Sequence, residues 1–246
     1  MDMFRETSFT RVEKGLILEK DELIVVEAKL ELWVEEMQVS SFSYSPGLER
    51  EMVLGHMISS GLISSIDALG SIDIEKNRCV VTTENKNQFV RNLLQSMSDS
   101  TSDLSFSFTN SGIVPIQVLH DAEQKMRKLQ EVHKITGGTH AALITNMISG
   151  ESVFAEDIGR HNAIDKTIGL ALGKEFDMGS SFLFITGRLT SEIVNKGVNA
   201  RIPLMCSLAV ASDLGIQIAL NSNMTLLGRM SADAFWIYCK GALSIE

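Results

Sequence analysis

From Lys20 to Met37 apolar and charged residues interleave, and Leu30, Leu32 and Val34 fall at every second position. A period of two puts side chains on alternate faces of a strand, so this stretch is predicted to be a pair of strands in a hairpin. Residues 1–14 hold no sustained period and read as a frayed leader. Ser43-Tyr-Ser-Pro-Gly47 reads as a turn. Pro46 then opens a helix through Leu48, Met52, Leu54 and Ile58, which Gly61 closes. Residues 63–69 suggest a short helix or turn, and Ile72, Ile74, Cys79, Val80 and Val81 suggest two short strands within 71–84. Residues 96–112 are rich in Ser, Thr, Asp and Asn and read as a linker or mobile loop. Beyond Pro115, Ile116, Leu119, Ala122, Met126, Leu129 and Val132 follow at spacings of 3, 3, 4, 3 and 3. That is one apolar face of one long helix, ending before Gly137-Gly138.

The second half alternates strand and helix. Strands are expected at 141–145 and 153–155 around Gly150, at 182–186, 203–206, 225–227 and 235–239. Helices are expected at 162–172, with Asn162 as N-cap and Asp165 three residues on, at 190–198 with Glu192 in the first turn, and at 213–220. Strands alternating with helices imply an α/β layered fold. The chain divides on this reading into a small α+β unit at 1–108, a loop and connecting long helix at 109–135, and an α/β unit at 136–246.

Composition narrows the function classes. Of 246 residues, 44% are hydrophobic and 22% charged, which excludes collagen, low-complexity disorder and a disulfide scaffold. The apolar runs are far shorter than a membrane helix needs, and no secretory signal is visible at the N-terminus. Cys79, Cys206 and Cys239 are scattered and never spaced Cys-x-x-Cys, which fits a reduced, cytoplasmic setting. A net charge of −9 argues against general nucleic-acid binding. The charge is uneven: residues 1–135 carry 14 Lys and Arg against 21 Asp and Glu, whereas residues 136–246 carry 8 against 10. An anionic ligand is therefore expected in the second half.

Three segments there can carry chemistry. Glu156-Asp-Ile-Gly-Arg-His-Asn-Ala-Ile-Asp-Lys166 delivers Arg160 and His161 from a strand end through a glycine turn into a helix start, with Asp157, Asn162, Asp165 and Lys166 close by. Free N–H groups of a first helical turn attract anions, and arginine adds a fork of donors. Thr186-Gly-Arg-Leu-Thr-Ser-Glu192 repeats the arrangement: Gly187 and Arg188 follow a strand, Thr190 or Ser191 caps, and Glu192 and Lys196 lie on the helix. Gly137-Gly138 permits close backbone approach ahead of His140. Arg160, His161 and Arg188 are expected to line one pocket near His140 and the glycine pair. Neither a Walker loop nor a G-x-G-x-x-G fingerprint is present.

Gly-Gly-Thr-His-Ala-Ala-Leu at 137–143, Glu-Asp-Ile-Gly-Arg-His-Asn-Ala-Ile-Asp-Lys at 156–166 and Thr-Gly-Arg-Leu-Thr-Ser-Glu-Ile-Val-Asn-Lys at 186–196 together resemble the FdhD/NarQ family of formate dehydrogenase accessory proteins. Ser45-Pro-Gly-Leu-Glu-Arg-Glu-Met-Val-Leu-Gly-His-Met is similar to that family's proline-started helix. The resemblance implies a small N-terminal domain, a cytidine-deaminase-like α/β domain at 136–246, and a homodimer. It implies a role as well. The family takes sulfur from a cysteine desulfurase and passes it to the molybdenum bis(molybdopterin guanine dinucleotide) cofactor of formate dehydrogenase. The expected cofactor-binding positions are the thirteen named above: Gly137, Gly138, His140, Asp157, Arg160, His161, Asn162, Asp165, Lys166, Gly187, Arg188, Glu192 and Lys196.

The chain also departs from the family. The family's loop carries a Cys-x-x-Cys that moves sulfur as a persulfide; here Ile113 and Ile116 stand in its place. No catalytic residue is therefore assigned, since transfer needs a thiolate. The family's cofactor-binding segment near the C-terminus agrees poorly with Leu227-Gly-Arg-Met-Ser-Ala-Asp233. Zinc deaminases need H-x-E and P-C-x-x-C, but His140 is followed by Ala-Ala and Pro203 by Leu-Met-Cys, so no zinc is expected. Two rivals stay open: transfer through Cys206 or Cys239, and a non-catalytic module that recognises a nucleotide or a formate dehydrogenase chain.

Overall fold

The computed structural model describes residues 3–97, 106–109 and 111–246. The chain opens with β1 (Phe4–Glu13) and β2 (Leu16–Val25), paired antiparallel from Phe4 opposite Val25 to Glu13 opposite Leu16. The expected frayed leader is thus one arm of a hairpin. Lys14 and Gly15, both at positive φ (51° and 82°), form the two-residue turn between them. The ribbon exposes Phe4, Phe9, Val12, Leu16, Ile17 and Leu23.

Next come β3 (Ala28–Val34), β4 (Met37–Tyr44), α1 (Glu49–Ser59), β5 (Leu69–Glu75), β6 (Arg78–Thr83) and α2 (Lys86–Met97). The strands form one sheet in the order β4-β3-β6-β5. Leu30, Leu32 and Val34 turn their shared face inward, as the alternation requires. Much of the polar stretch at 96–112 lies outside the described residues.

Beyond it run β7 (Gly112–Val114), α3 (Ile116–Leu129) and α4 (Glu131–Thr136). The single long helix is in fact two. The buried carboxylate of Glu156 accepts the N–H groups of Val132 (3.0 Å) and His133 (2.8 Å), which starts a second helix across the break at Gln130. The remaining elements are β8 (His140–Asn146), β9 (Ser152–Asp157), α5 (Arg160–Gly173), β10 (Ser181–Ile185), α6 (Ser191–Asn199), β11 (Leu204–Ser207), α7 (Asp213–Asn221), β12 (Thr225–Gly228), β13 (Trp236–Cys239) and β14 (Leu243–Ile245). The main sheet runs β13-β12-β11-β10-β8-β9, and β14 pairs with β7.

Alternation on this sheet builds two cores. Ala142, Ile144, Leu183, Ile185, Met205 and Leu226 face α5, α6 and α7; Ala141, Leu143, Phe182, Phe184, Cys206 and Leu227 face α3. The first core continues through α1 into Leu30, Leu32 and Val34 of the smaller sheet. The fold is therefore mixed α/β, with α1 lying between two sheets. It lies there at backbone contact with α5: a Cβ on Gly55 would fall 1.8 Å from the Asp165 carbonyl oxygen, and one on Gly169 would fall 2.0 Å from that of Glu51. Among the described residues no helix is long and apolar enough to cross a membrane.

Candidate functional site

β10, β11 and β12 are mutually parallel, and β8 runs antiparallel to both β9 and β10. β9, β10, β11 and β12 therefore end on one edge of the sheet, where β8 begins, and open α/β folds bind ligands at such an edge. Arg160 follows β9 and Arg188 follows β10. Their junctions touch: a Cβ on Gly187 would lie 3.2 Å from Cβ and Cδ of Arg160. His140 sits beside them, its Nδ1 3.3 Å from the Thr186 hydroxyl. Desolvation, aided by Arg160, His133 and Arg188, pushes the His140 pKa down and favours the neutral ring.

The helix starts here lack side-chain caps. Asn162 does not cap α5; Gly159 holds that place, and Asp157 Oδ1 accepts the Gly159 N–H (2.8 Å) and the Asn162 side-chain amide (2.9 Å), leaving the N–H groups of Arg160 and His161 without a side-chain acceptor among the described residues. Thr190 stands at the α6 N-cap without a capping bond, and its Oγ1 is buried without a partner among the described residues. Arg160 Nε is likewise buried and unpaired among the described residues. α7, by contrast, is capped by Ser212. Two helix starts without N-cap side-chain bonds, beside two arginines, present N–H donors and positive charge of the kind anions bind.

A third cation stands in the segment that agrees poorly with the family and is absent from the expected binding positions. Arg229 follows Gly228 at the end of β12, with φ of 51° and its guanidinium 4.7 Å from the Trp236 ring centre. The signal was present, since Gly159-Arg160, Gly187-Arg188 and Gly228-Arg229 each lie at or just beyond the end of a strand that finishes on this edge. The glycine pair has local reasons. Gly137 ends α4 at φ 65°, and Gly138 leaves room for Val25 of β2, whose Cγ1 would lie 3.0 Å from a Cβ there.

Other residues of the same motifs lie in a seam between the two halves of the molecule. Lys166 is 1% exposed and Asp157 fully buried, with 2.7 Å between their charges. Lys166 also donates to the Ser45 carbonyl (2.7 Å), while Asp157 accepts the Ser45 N–H (3.0 Å). Asn162 donates to the Ser43 carbonyl (2.7 Å). One turn further, Lys196 donates to both oxygens of Asp165 (2.7 and 2.9 Å) and to Ser59 of α1 (2.9 Å). Burial raises the Asp165 pKa, but Lys196 and His56 outweigh it and bring the carboxyl from 3.8 to about 2.

A third group opens into a cleft of about 710 Å³ beside α1, α2 and α6. His161 lines it with Nε2 3.0 Å from Glu192. Desolvation, Lys196 and Arg160 lower the His161 pKa against the opposing pull of Glu192. Eleven of the thirteen expected positions thus divide among edge, seam and cleft, and Gly137 and Gly138 stand apart at the end of α4. Arg160, Arg188, Gly187 and His140 come together at the edge, and His161 turns instead toward the cleft.

Thiol chemistry has little to work with. Cys79, Cys206 and Cys239 are all buried and unpaired. Burial pushes the thiol of Cys79 up to about 11, with Asp73 adding to it, and raises those of Cys206 and Cys239 as well. Ile113 and Ile116 are 63% and 38% exposed. Among the described residues no group of three or more His, Cys, Asp or Glu could hold a metal ion.

A family model for the FdhD/NarQ family matches residues 25–243. The chain belongs to the FdhD/NarQ family. Among curated members, the sulfur carrier protein FdhD of Sulfurisphaera tokodaii is 32% identical over 230 residues, covering 89% of this chain and 90% of that protein. Protein FdhD of Methanocaldococcus jannaschii is 27% identical, covering 91% of each. A crystal structure described as a formate dehydrogenase accessory protein from Desulfotalea psychrophila matches with a TM-score of 0.83 at 22% identity, covering 97% of both chains. That likeness shows the fold.

Proposed function

We propose that this FdhD/NarQ member is a formate dehydrogenase accessory protein that holds the molybdenum bis(molybdopterin guanine dinucleotide) cofactor by its phosphates at the arginine edge. The supporting observation is the pair of uncapped helix starts beside Arg160 and Arg188, with Arg160 Nε buried and unpaired. Those groups supply donors and positive charge and leave them unused, as a phosphate requires. His140, held neutral, adds a hydrogen-bonding group without a charge. The cofactor is cargo on this reading, and the chain's own residues only bind and orient it.

The cysteine desulfurase and formate dehydrogenase that the family resemblance implies are the partners on this reading. Relatives are named sulfur carriers. In this chain exposed isoleucines stand at the persulfide positions and every thiol is buried, so the chain holds cofactor without itself carrying sulfur. The cytidine-deaminase-like reading of 136–246 is supported by a sheet covered by helices on both faces, without the deaminase zinc ligands. The exposed apolar residues of the β1–β2 ribbon support the homodimer, and the absence of a spanning helix among the described residues is compatible with the cytoplasm.

Calorimetry with GDP tests the cofactor site. Arg160→Ala and Arg188→Ala should each weaken binding by about 1.5–3 kcal/mol, the range for a hydrogen bond to a charged group. Equal affinity in the wild type and both variants would refute it. Mass spectrometry after incubation with a cysteine desulfurase and cysteine tests the sulfur claim. A stoichiometric gain of about 32 Da on any cysteine, the mass of one persulfide sulfur, would overturn it.

A further inference from the structure

We propose that the 710 Å³ cleft beside α1, α2 and α6 is a second binding site, separate from the arginine edge, for a small molecule with a terminal oxyanion, phosphate or carboxylate, seated on Arg201. Three observations converge on that side chain.

Arg201 is the cation of the lining that has no carboxylate partner. Lys196 is saturated by Asp165 and Ser59, whereas Arg201 makes no hydrogen bond or ion pair among the described residues. Its guanidinium lies 3.6 Å from the Phe106 ring centre. A stacked guanidinium is fixed in plane but keeps its five N–H donors for a planar or tetrahedral oxyanion.

The backbone at this position is unusual for arginine. Arg201 follows the end of α6 at φ 62°, the left-handed position usually given to glycine. A Cβ is crowded in that conformation, so the sequence places an arginine where the local geometry favours glycine.

The rest of the cleft suits the body of a polar molecule. Its volume is in the range of small-molecule sites. At the far end of α6, nine residues and about 13 Å away along the axis, His161 and Glu192 form a hydrogen-bonded pair. Between them, Ser60 and His56 line the wall, and the His56 ring bonds through Nδ1 to Asp165 and Ser60. The edge arginines Arg160 and Arg188 are not part of this lining.

The test is an NMR titration of the full chain with inorganic phosphate and, separately, with glutarate. The reporter is the Arg201 Nε–Hε cross-peak, assigned by its loss in Arg201→Gly. Glycine suits φ 62°, so that variant keeps the fold and removes only the guanidinium. The expected result is a saturable shift of this peak and of the His56 ring with at least one probe. The shift at His56 should weaken about tenfold or more in Arg201→Gly, as for loss of a charge-assisted bond. It should be unchanged in Arg188→Ala, which separates this site from the cofactor edge. Phosphate alone, glutarate alone or both would each support the site and name its end group. No saturable shift with either probe, or equal affinity at His56 in Arg201→Gly, would overturn it.

Discussion

The seam and the edge draw on the same two sequence motifs and treat their charges in opposite ways. In the seam, Asp157, Lys166, Asp165 and Lys196 are buried and every charge has its partner within 2.9 Å. At the edge, Arg188 is exposed, Arg160 Nε is buried without a partner among the described residues, and two helix starts have no N-cap side-chain bond. A charge whose hydrogen bonds are already made inside the chain serves the fold. One whose donors are unused is available to a ligand. Burial alone does not separate the two, since Arg160 is itself partly buried; saturation does.

That contrast breaks most sharply at Lys166. Lys166→Ala leaves the buried Asp157 carboxyl without its cation, so it should destabilise the protein by about 3–5 kcal/mol in chemical denaturation. A loss under about 1 kcal/mol would show that the seam does not depend on the pair.

Acid should act on the second seam pair more gently. The folded Asp165 pKa, about 2, lies below its ordinary value of 3.8. A depressed carboxyl contributes stability above its unfolded pKa and loses it as pH falls through the folded one. Between pH 4 and pH 2 the chain should therefore lose on the order of 2 kcal/mol that Lys196→Met lacks at the outset. Identical pH profiles for the wild type and that variant would remove Asp165 from the account.

At the edge, stability should barely respond. Arg160→Met removes a buried unpaired donor and should leave Tm unchanged or slightly raised, and Arg188→Ala should fall within about 0.5 kcal/mol of the wild type. A large loss in either would mean that the edge arginines belong to the fold after all. Lys128→Ala, on α3 away from both regions, should alter neither stability nor GDP binding.

Much of this was legible in the chain because period and punctuation report local structure. The alternation at Leu30, Leu32 and Val34 and the strand–Gly–Arg junctions stand where expected. The failures share one cause: a partner distant in sequence. Gln130 breaks the long helix because Glu156 caps the next one. Asn162 fits an N-cap by type but spends its amide on Ser43, 119 residues away. Asp157 and Lys166 look as ligand-ready as Arg160 until Ser45 is seen to hold both. The leader was misread because Phe4, Phe9 and Val12 keep no period of their own, and only pairing with β2 organises them. Gly55 and Gly169 gave no sign that each makes room for the other's helix.

The sequestration of all three thiols has a practical side. Maleimides and iodoacetamide react with accessible thiolates, so the native chain should stay nearly silent to both. One cysteine placed at the exposed Ile113 would then be the sole reactive handle. A fluorophore or spin label could be attached there without first stripping the native sulfurs, and it would report from the exposed start of β7.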